Sequence, residues 1–523
     1  MEMKRFFRPY SLLMACMTML LVSCSAPKTV ATSSPAGEYI PKREFRGAWM
    51  QVVNGQYQHM TSAQQQQRLL EQLDALQQIG VNAIFFQVRP EADALYISNY
   101  EPWSRFLTGQ QGRTPDVNWD PLQFMVDACH ARGMELHAWI NPYRASMKGL
   151  DKTALHYKHP YVRHPENFVE YDGMLLFNPA LQVNRDYICT VATDIVRRYD
   201  VDGLHVDDYF YPYPAAGVSF PDDRDFANDP RGIGNKSDWR RDNVNLLIRQ
   251  LSQSIRKVKP WVKFGISPFG IYHNESSSAV MDAVPGSATR GLQNYDDLYA
   301  DVLYWIHQGW IDYSIPQLYW QIGHSTADYA TLIGWWADNA GGRPLFIGQD
   351  FERSLQYADP QSPDRNQLAR KFLMQRSEPT SGYCWWYAEA LRQYVADPAR
   401  LAEIQSLTRA TRLALQPLYP FIDNKAPGHV KNLSFIQTTD GPALLWKAPK
   451  FKNEMDRPVR YVVYRFSRGE KINLEDGAHI VGLTSNTYYT LSPESGASRY
   501  CYVVTALDRL QNESKEEKVD VTL

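Results

Sequence analysis

The 523-residue chain lacks an excess of charge of either sign: 55 Lys and Arg face 57 Asp and Glu, a formal net charge of −2. Without a basic field, a nucleic-acid or other polyanion-binding role has no electrostatic footing, and no nucleic-acid partner is expected. Cysteine is scarce, six in all, and Cys129, Cys189, Cys384 and Cys501 lie at wide spacings that match no CxxC or zinc pattern. They read as buried thiols, although an oxidising compartment would permit a disulfide that the sequence does not pair. No GxGxxG follows the first candidate strand, no HExxH occurs, and that strand, FRGAWMQVV, lacks the HxH of metal-dependent barrel hydrolases. Three His in HYKHPYVRH (156–164) read as surface imidazoles, and the acidic PDDRDFANDP (221–230) lacks the spacing of a calcium loop. No metal and no cofactor are therefore expected. What is abundant is aromatic: 14 Trp and 32 Tyr, with 44% hydrophobic residues overall, too rich in core formers for disorder. Flat rings fill cores and also suit the faces of sugars.

The N-terminus reads as a targeting segment. Lys4, Arg5 and Arg8 precede an apolar run at 11–22, which is too short to cross a bilayer as a mature helix. The run ends in Leu21-Val22-Ser23-Cys24, which resembles the bacterial lipobox, so residues 1–23 are expected to be removed and Cys24 to carry the lipid. Residues 24–40, rich in small residues and Pro, then form a flexible tether. Ser rather than Asp at position 25 resembles lipoproteins bound for the outer membrane of the bacterial envelope.

From Phe45 to about Leu415 strand and helix alternate. Short apolar runs at 45–53, 83–89, 135–141, 203–209, 262–268, 312–320, 344–350 and 383–387 suit buried parallel strands better than half-exposed ones. Helical patterns fit 62–80, 120–133, 183–199, 239–258, 295–308, 325–340, 363–376 and 398–414, and Leu69, Leu70, Leu73 and Leu76 make one apolar face. Eight strand–helix repeats point to a (β/α)₈ TIM barrel over residues 41–420, with a doubly wound open sheet as the alternative. After DNKAPG (423–428) the pattern changes to seven short strands, read as a small immunoglobulin-like β-sandwich at 427–523. Trp446 and the run Tyr500, Tyr502, Val504, Ala506 resemble a fibronectin type III module. Those strands carry no cluster of acid, base or metal ligands, so this module is expected to be dispensable for catalysis.

In a TIM barrel the chemistry sits where strands end. The second strand ends in QVRPEADALY, supplying Arg89, Glu91 and Asp93; the third in HAWINPYR, supplying Asn141, Tyr143 and Arg144. The fourth gives HVDDYFYP, where Asp207 and Asp208 follow an apolar run. Two adjacent carboxylates at a barrel mouth suit catalysis or metal binding better than solvated loop charge. Strand alternation puts His205 and Asp207 on one side, which favours Asp207 over Asp208.

FRGAWM (45–50), QVRPEADALY (87–96), HAWINPYR (137–144), GLHVDDYFYP (203–212), WRRDNVN (239–245), KFGISPFGIY (263–272) and PQLYW (316–320) together resemble the glycosyl-hydrolase-like ten family, also called the domain-of-unknown-function 187 family. The resemblance runs in order through the whole barrel. It implies a bacterial envelope protein, often a lipoprotein, acting on a polysaccharide, with peptidoglycan glycan strands lacking peptides as the foremost substrate. PEAD (90–93) departs from the family in having Ala where Gly is commoner before the Asp, which favours Asp93 over Glu91. HVDD is also similar to the strand-four RxD of amylase-like barrels, whose Asp is the nucleophile, and this again selects Asp207. Glycoside hydrolysis needs one protonated and one ionised carboxyl. Asp207 is the ionised candidate; Asp93, Asp208, Asp350 and Glu352 are candidates for the acid, with Asp93 leading. Tyr143, Tyr209, Tyr319, Trp320, Trp385 and Trp386 are candidate stacking platforms, with His205 beside the carboxylates. Arg89, Asn141, Arg144 and Gln317 are candidates to bind hydroxyls or a lactyl carboxylate. A non-catalytic surface glycan-binding lipoprotein is the alternative reading, against which a desolvated carboxylate pair counts.

Overall fold

Eight short strands, nearly every residue of them buried, surround a common interior: β1 (Phe45–Met50), β2 (Ala83–Arg89), β3 (Glu135–Ile140), β4 (Gly203–Val206), β5 (Lys263–Ile266), β6 (Tyr313–Ser314), β7 (Phe346–Asp350) and β8 (Gly382–Trp386). They belong to a computed structural model that describes residues 41–117, 119–277, 284–439, 441–492 and 498–523. The lipobox, Cys24 and the tether therefore lie outside the described residues. All strand pairs are parallel and run β6-β5-β4-β3-β2-β1-β8-β7. Parallel bridges Ser314↔Leu345 and Gln317↔Gly348 join β6 to β7 and close the ring. The fold is a TIM barrel rather than an open doubly wound sheet.

Helices cover the ring where the apolar spacing predicts them. Ser62–Gln78 starts at a capping box between Thr61 and Gln64 and buries Leu69, Leu73 and Leu76. Pro121–Ala131, Gln182–Arg198 and Lys236–Val258 follow the same logic. Two expectations need correcting. The helix expected over 295–308 is broken into Asn294–Asp297 and Val302–His307. A hairpin of Ala358–Asp359 with Ser362–Asn366 takes the start of the segment expected as helix 363–376, which begins at Leu368. A second hairpin, Phe168–Tyr171 with Met174–Phe177, lies among the loops after β3 and was not legible as strand.

The barrel interior is not wholly apolar. Phe45, Phe85, Tyr313, Phe346 and Cys384 pack there, but Glu135, His137, His205 and Lys263 are also buried. Glycines make room for this polar layer. A Cβ on Gly203 would sit 2.2 Å from the His137 ring, and one on Gly265 2.1 Å from Tyr313, so neither strand accepts a side chain at that level.

Beyond the barrel, Lys431–Thr438, Gly441–Lys447 and Tyr488–Thr490 form one antiparallel sheet, and Ile480–Thr484, Arg460–Ser467, Arg499–Leu507 and Glu517–Thr522 another. Val430, Leu444, Trp446, Tyr461, Val463, Tyr502 and Val504 pack between them. The four described cysteines are free thiols.

This all-β region is not a separate appendage: residues 41–523 fall in one compact unit. After Leu507 the chain loops against the barrel, where Leu510, 2% exposed, joins Phe45, Tyr313 and Phe346 in one apolar cluster with Tyr419. Gln511 donates to Glu135 Oε1 at 3.2 Å, Arg509 pairs with Asp200 at 2.8 Å, and Lys42 pairs with Glu513 at 2.5 Å. One loop of this region thus joins the apolar cluster of the barrel interior. Leu510→Ala is expected to cost about 2–5 kcal/mol, the range for buried leucine, read as a lower denaturant midpoint; an unchanged midpoint would show that the barrel stands without the plug.

Candidate active site

At the end of β4 the pleat sends His205 down into the barrel and lifts Asp207 and Asp208 into the mouth. Their carboxyls are nearly closed off, at 4% and 3% exposure. Burial raises both above the usual carboxylate range, and the charge of Asp208 adds to the push on Asp207.

Donors surround both carboxyls. Asp207 Oδ2 accepts from Trp139 Nε1 at 3.2 Å and from Asn141 Nδ2, and the Arg144 charge favours its ionised form. The Asn141 amide has no freedom to turn. Its Oδ1 receives Gln87 Nε2 at 2.8 Å and Arg144 Nη2 at 2.6 Å, so its NH₂ must face Asp207. Asp208 Oδ2 accepts the hydroxyl of Tyr213, and Gln317 and the Arg144 charge likewise favour its ionised form. Burial and the neighbouring Asp208 push Asp207 up to about 7 despite its donors.

These carboxyls face a cavity of about 510 Å³. Trp49, Trp139, Tyr209, Tyr213, Phe269, Tyr319, Trp320 and Trp386 line it, with Gln51, Gln87, Arg144, Ser267, Gln317, Asp350 and Arg353. The Trp386 ring stands 6.1 Å from Trp49, 6.3 Å from Trp139 and 6.4 Å from Tyr319. Arg144 lies over Tyr209 at 5.2 Å. Asp350 caps the helix Phe351–Gln356 by accepting from Arg353 N at 2.9 Å, and burial raises its pKa too. Among the described residues no cluster of three His, Cys, Asp or Glu has the arrangement of a metal site.

Of the residues singled out in the sequence, Arg144, Asp207, Asp208, Tyr209, Gln317, Tyr319, Trp320, Trp386 and Asp350 meet at this cavity. Asn141 stands behind Asp207, wholly buried, and His205 lies beneath it in the barrel. Arg89, Asp93, Tyr143 and Trp385 do not line the cavity.

Arg89 shows why. A register shift sets Gln87 opposite Trp139 but Arg89 opposite Ile140, and this bulge rotates Arg89 off the inner face. It is fully buried, paired with Glu101 at 2.7 Å and donating to the carbonyls of Asn141 and Pro142. Asp93, also fully buried, accepts from Glu91 N and Gln111 Nε2, and burial beside Glu91 pushes its pKa up to about 7. Tyr143 and Trp385 belong to the core between barrel and helices. Trp385 packs on Phe372 at 5.8 Å, while its neighbour Trp386 faces inward, as alternation along β8 requires.

Trp49, Trp139, Gln87 and Ser267 were missed by sequence reasoning. The signal existed for Trp139: it shares strand parity with His137 and Asn141, as Gln87 does with Phe85. Reading inward residues one step below each strand end would have found both.

A closed ring of eight parallel strands with a buried carboxyl pair and aromatic walls at its C-terminal mouth is a barrel of the glycosidase type. The chain belongs to the glycosyl hydrolase-like 10 family, whose model matches residues 44–361. It is 36% identical over 485 residues to the glycosyl hydrolase YngK of Bacillus subtilis (strain 168), covering 91% of this chain and 93% of that protein. It is also 36% identical over 352 residues to the glycosyl hydrolase DigH of Escherichia coli (strain K12), covering 62% of this chain and 78% of the relative. Among solved structures, the α-L-fucosidase isoenzyme 2 from Paenibacillus thiaminolyticus aligns with a TM-score of 0.43 at 12% identity, over 71% of this chain and 49% of the other.

Arg89→Met separates a structural from a ligand-binding role. Removing one partner of a buried ion pair is expected to cost about 3–5 kcal/mol of stability, seen in chemical denaturation, while the folded fraction keeps its affinity for glycan. Lost affinity at unchanged stability would return Arg89 to the site.

Proposed function

We propose that the chain is a glycoside hydrolase in which Asp207, ionised, faces the anomeric carbon and Asp208 donates the proton to the leaving oxygen. The observation that carries this reading is the buried carboxyl pair at the floor of an aromatic-walled cavity. Asp207 meets an oxocarbenium-like transition state with negative charge oriented by Asn141 and Trp139, so little reorganisation is needed as positive charge develops. Trp386, Trp320 and Tyr319 give pyranose rings faces to stack on. Arg144, beside the pair, suits a carboxylate-bearing sugar, which supports glycan strands of peptidoglycan lacking peptides as the substrate. We place the protein in the bacterial envelope, held by lipid on Cys24 and directed to the outer membrane, on the lipobox resemblance. Cys24→Ser is expected to yield uncleaved or soluble precursor; mass spectrometry finding a mature N-terminus elsewhere would sink the anchor.

Asp207→Asn is expected to lower turnover on denuded glycan strands by at least about a thousandfold, roughly 4 kcal/mol of transition-state stabilisation, with binding within a few fold. The pH profile has a defined sign. Asp208, raised by burial, is protonated at low pH and loses its proton as pH rises through its elevated pKa, so turnover should fall on the alkaline side. Asp208→Asn should abolish that alkaline limb. Near-normal turnover by Asp207→Asn removes it from the mechanism, and a parent inert across a broad glycan panel favours a glycan-binding lipoprotein.

A further inference from the structure

A column of hydrogen bonds runs up the barrel axis to the floor of the cavity. At its foot Lys263 Nζ lies 2.6 Å from Glu135 Oε1, which also receives Gln511 Nε2 at 3.2 Å from the C-terminal region. His137 Nε2 meets Glu135 Oε2 at 3.2 Å, and His137 Nδ1 meets the Tyr313 hydroxyl at 2.8 Å. That hydroxyl lies 3.3 Å from His205 Nδ1, and His205 Nε2 lies 2.9 Å from Ser267 Oγ, which lines the cavity. Trp49 Nε1 also donates to His205 Nε2, at 3.4 Å. All of these side chains are buried.

Each member has few choices. Lys263 beside Glu135 holds its carboxyl low, hence ionised and acceptor-only; burial holds both imidazoles low, hence neutral, with one donor and one acceptor nitrogen each. His137 must therefore carry its proton on Nε2 and accept the Tyr313 O–H on Nδ1. The Tyr313 oxygen then accepts from His205 Nδ1–H, which leaves His205 Nε2 as an acceptor. Trp49, which can only donate, requires the same of that nitrogen, so the column is set from both ends. Ser267 must turn its hydroxyl hydrogen inward, and among the described residues no group donates to its oxygen.

We propose that the column presents Ser267 Oγ to the cavity as an obligate hydrogen-bond acceptor, making Ser267 a specificity residue that selects a sugar ring bearing a donor, a hydroxyl or amide N–H, over the floor. This rests on the glycoside-hydrolase reading for the nature of the ligand, but the polarity of the column does not. Glu135, His137, Tyr313 and His205 are positioning residues; none touches substrate.

Nitrogen NMR of the full chain labelled in its histidine rings reads the tautomers without any substrate. His137 is expected as the Nε2–H form and His205 as the Nδ1–H form, with neither titrating between about pH 5 and 8. In Glu135→Gln, Lys263 and Gln511 hold the amide oxygen, so the NH₂ faces His137 and His137 becomes Nδ1–H, while Trp49 keeps His205 in its Nδ1–H form. A parent His205 protonated on Nε2, or carrying charge, overturns the proposal whether or not the variant folds, as does an unchanged His137 in a folded Glu135→Gln. With denuded glycan strands as probe, Ser267→Ala should lower kcat/KM roughly tenfold or more, mainly through KM, the size of one hydrogen bond to a ligand. An active parent indifferent to Ser267→Ala overturns the specificity role. A parent that cleaves nothing overturns the hydrolase reading and that role with it, while the tautomers still decide the column.

Discussion

A polar group inside a closed barrel has no water to turn to, and the rest of this structure depends on that constraint. Every charge and hydrogen-bond donor among the eight strands must find a protein partner or forfeit its solvation. Along the axis the chain lines partners up, from Lys263 and Glu135 through two imidazoles and a phenol to Ser267, while Gln349 on β7 and Trp385 on β8 go without. The same condition acts on the carboxyls at the mouth. Asp207 and Asp208 each collect donors, and burial still raises both.

Orientation at the mouth comes from side chains that never reach the cavity. Gln87 and Arg144 turn the Asn141 amide, and Asn141 then aims its only free donors at Asp207. Arg89 contributes one layer further out, pinning the Asn141 and Pro142 carbonyls while Glu101 neutralises it. A site assembled this way keeps its geometry without substrate, which is what electrostatic preorganisation requires.

The C-terminal sheets take part in this economy of partners. Leu510 fills apolar space inside the barrel cluster, and Gln511 supplies Glu135 with a donor that the eight strands do not. Two neighbouring residues of one loop thus serve the two needs of the barrel interior, volume and hydrogen bonding, and tie the two regions into one folding unit.

Much of this was legible in the residues alone. Eight apolar runs separated by helical periodicity sufficed for the barrel, because parallel strands buried on both faces must be apolar along their length. The HVDD string pointed to the carboxyl pair, because two adjacent acids after an apolar run suit a site better than solvated loop charge. The residues that misled did so where local pattern is silent. Arg89 and Asp93 sit in a motif at the right strand end, yet a one-residue bulge in β2 turns Arg89 toward Glu101, and Asp93 is closed off beside Glu91. Trp385 and Trp386 are equivalent as letters, and only the register of β8 decides that the second faces sugar-sized space while the first packs on Phe372. No spacing in the chain foretells that residue 511 meets residue 135. Periodicity records which face of an element is buried; which burial is a core and which is a site depends on what stands opposite, and that is decided only when distant segments close on one another.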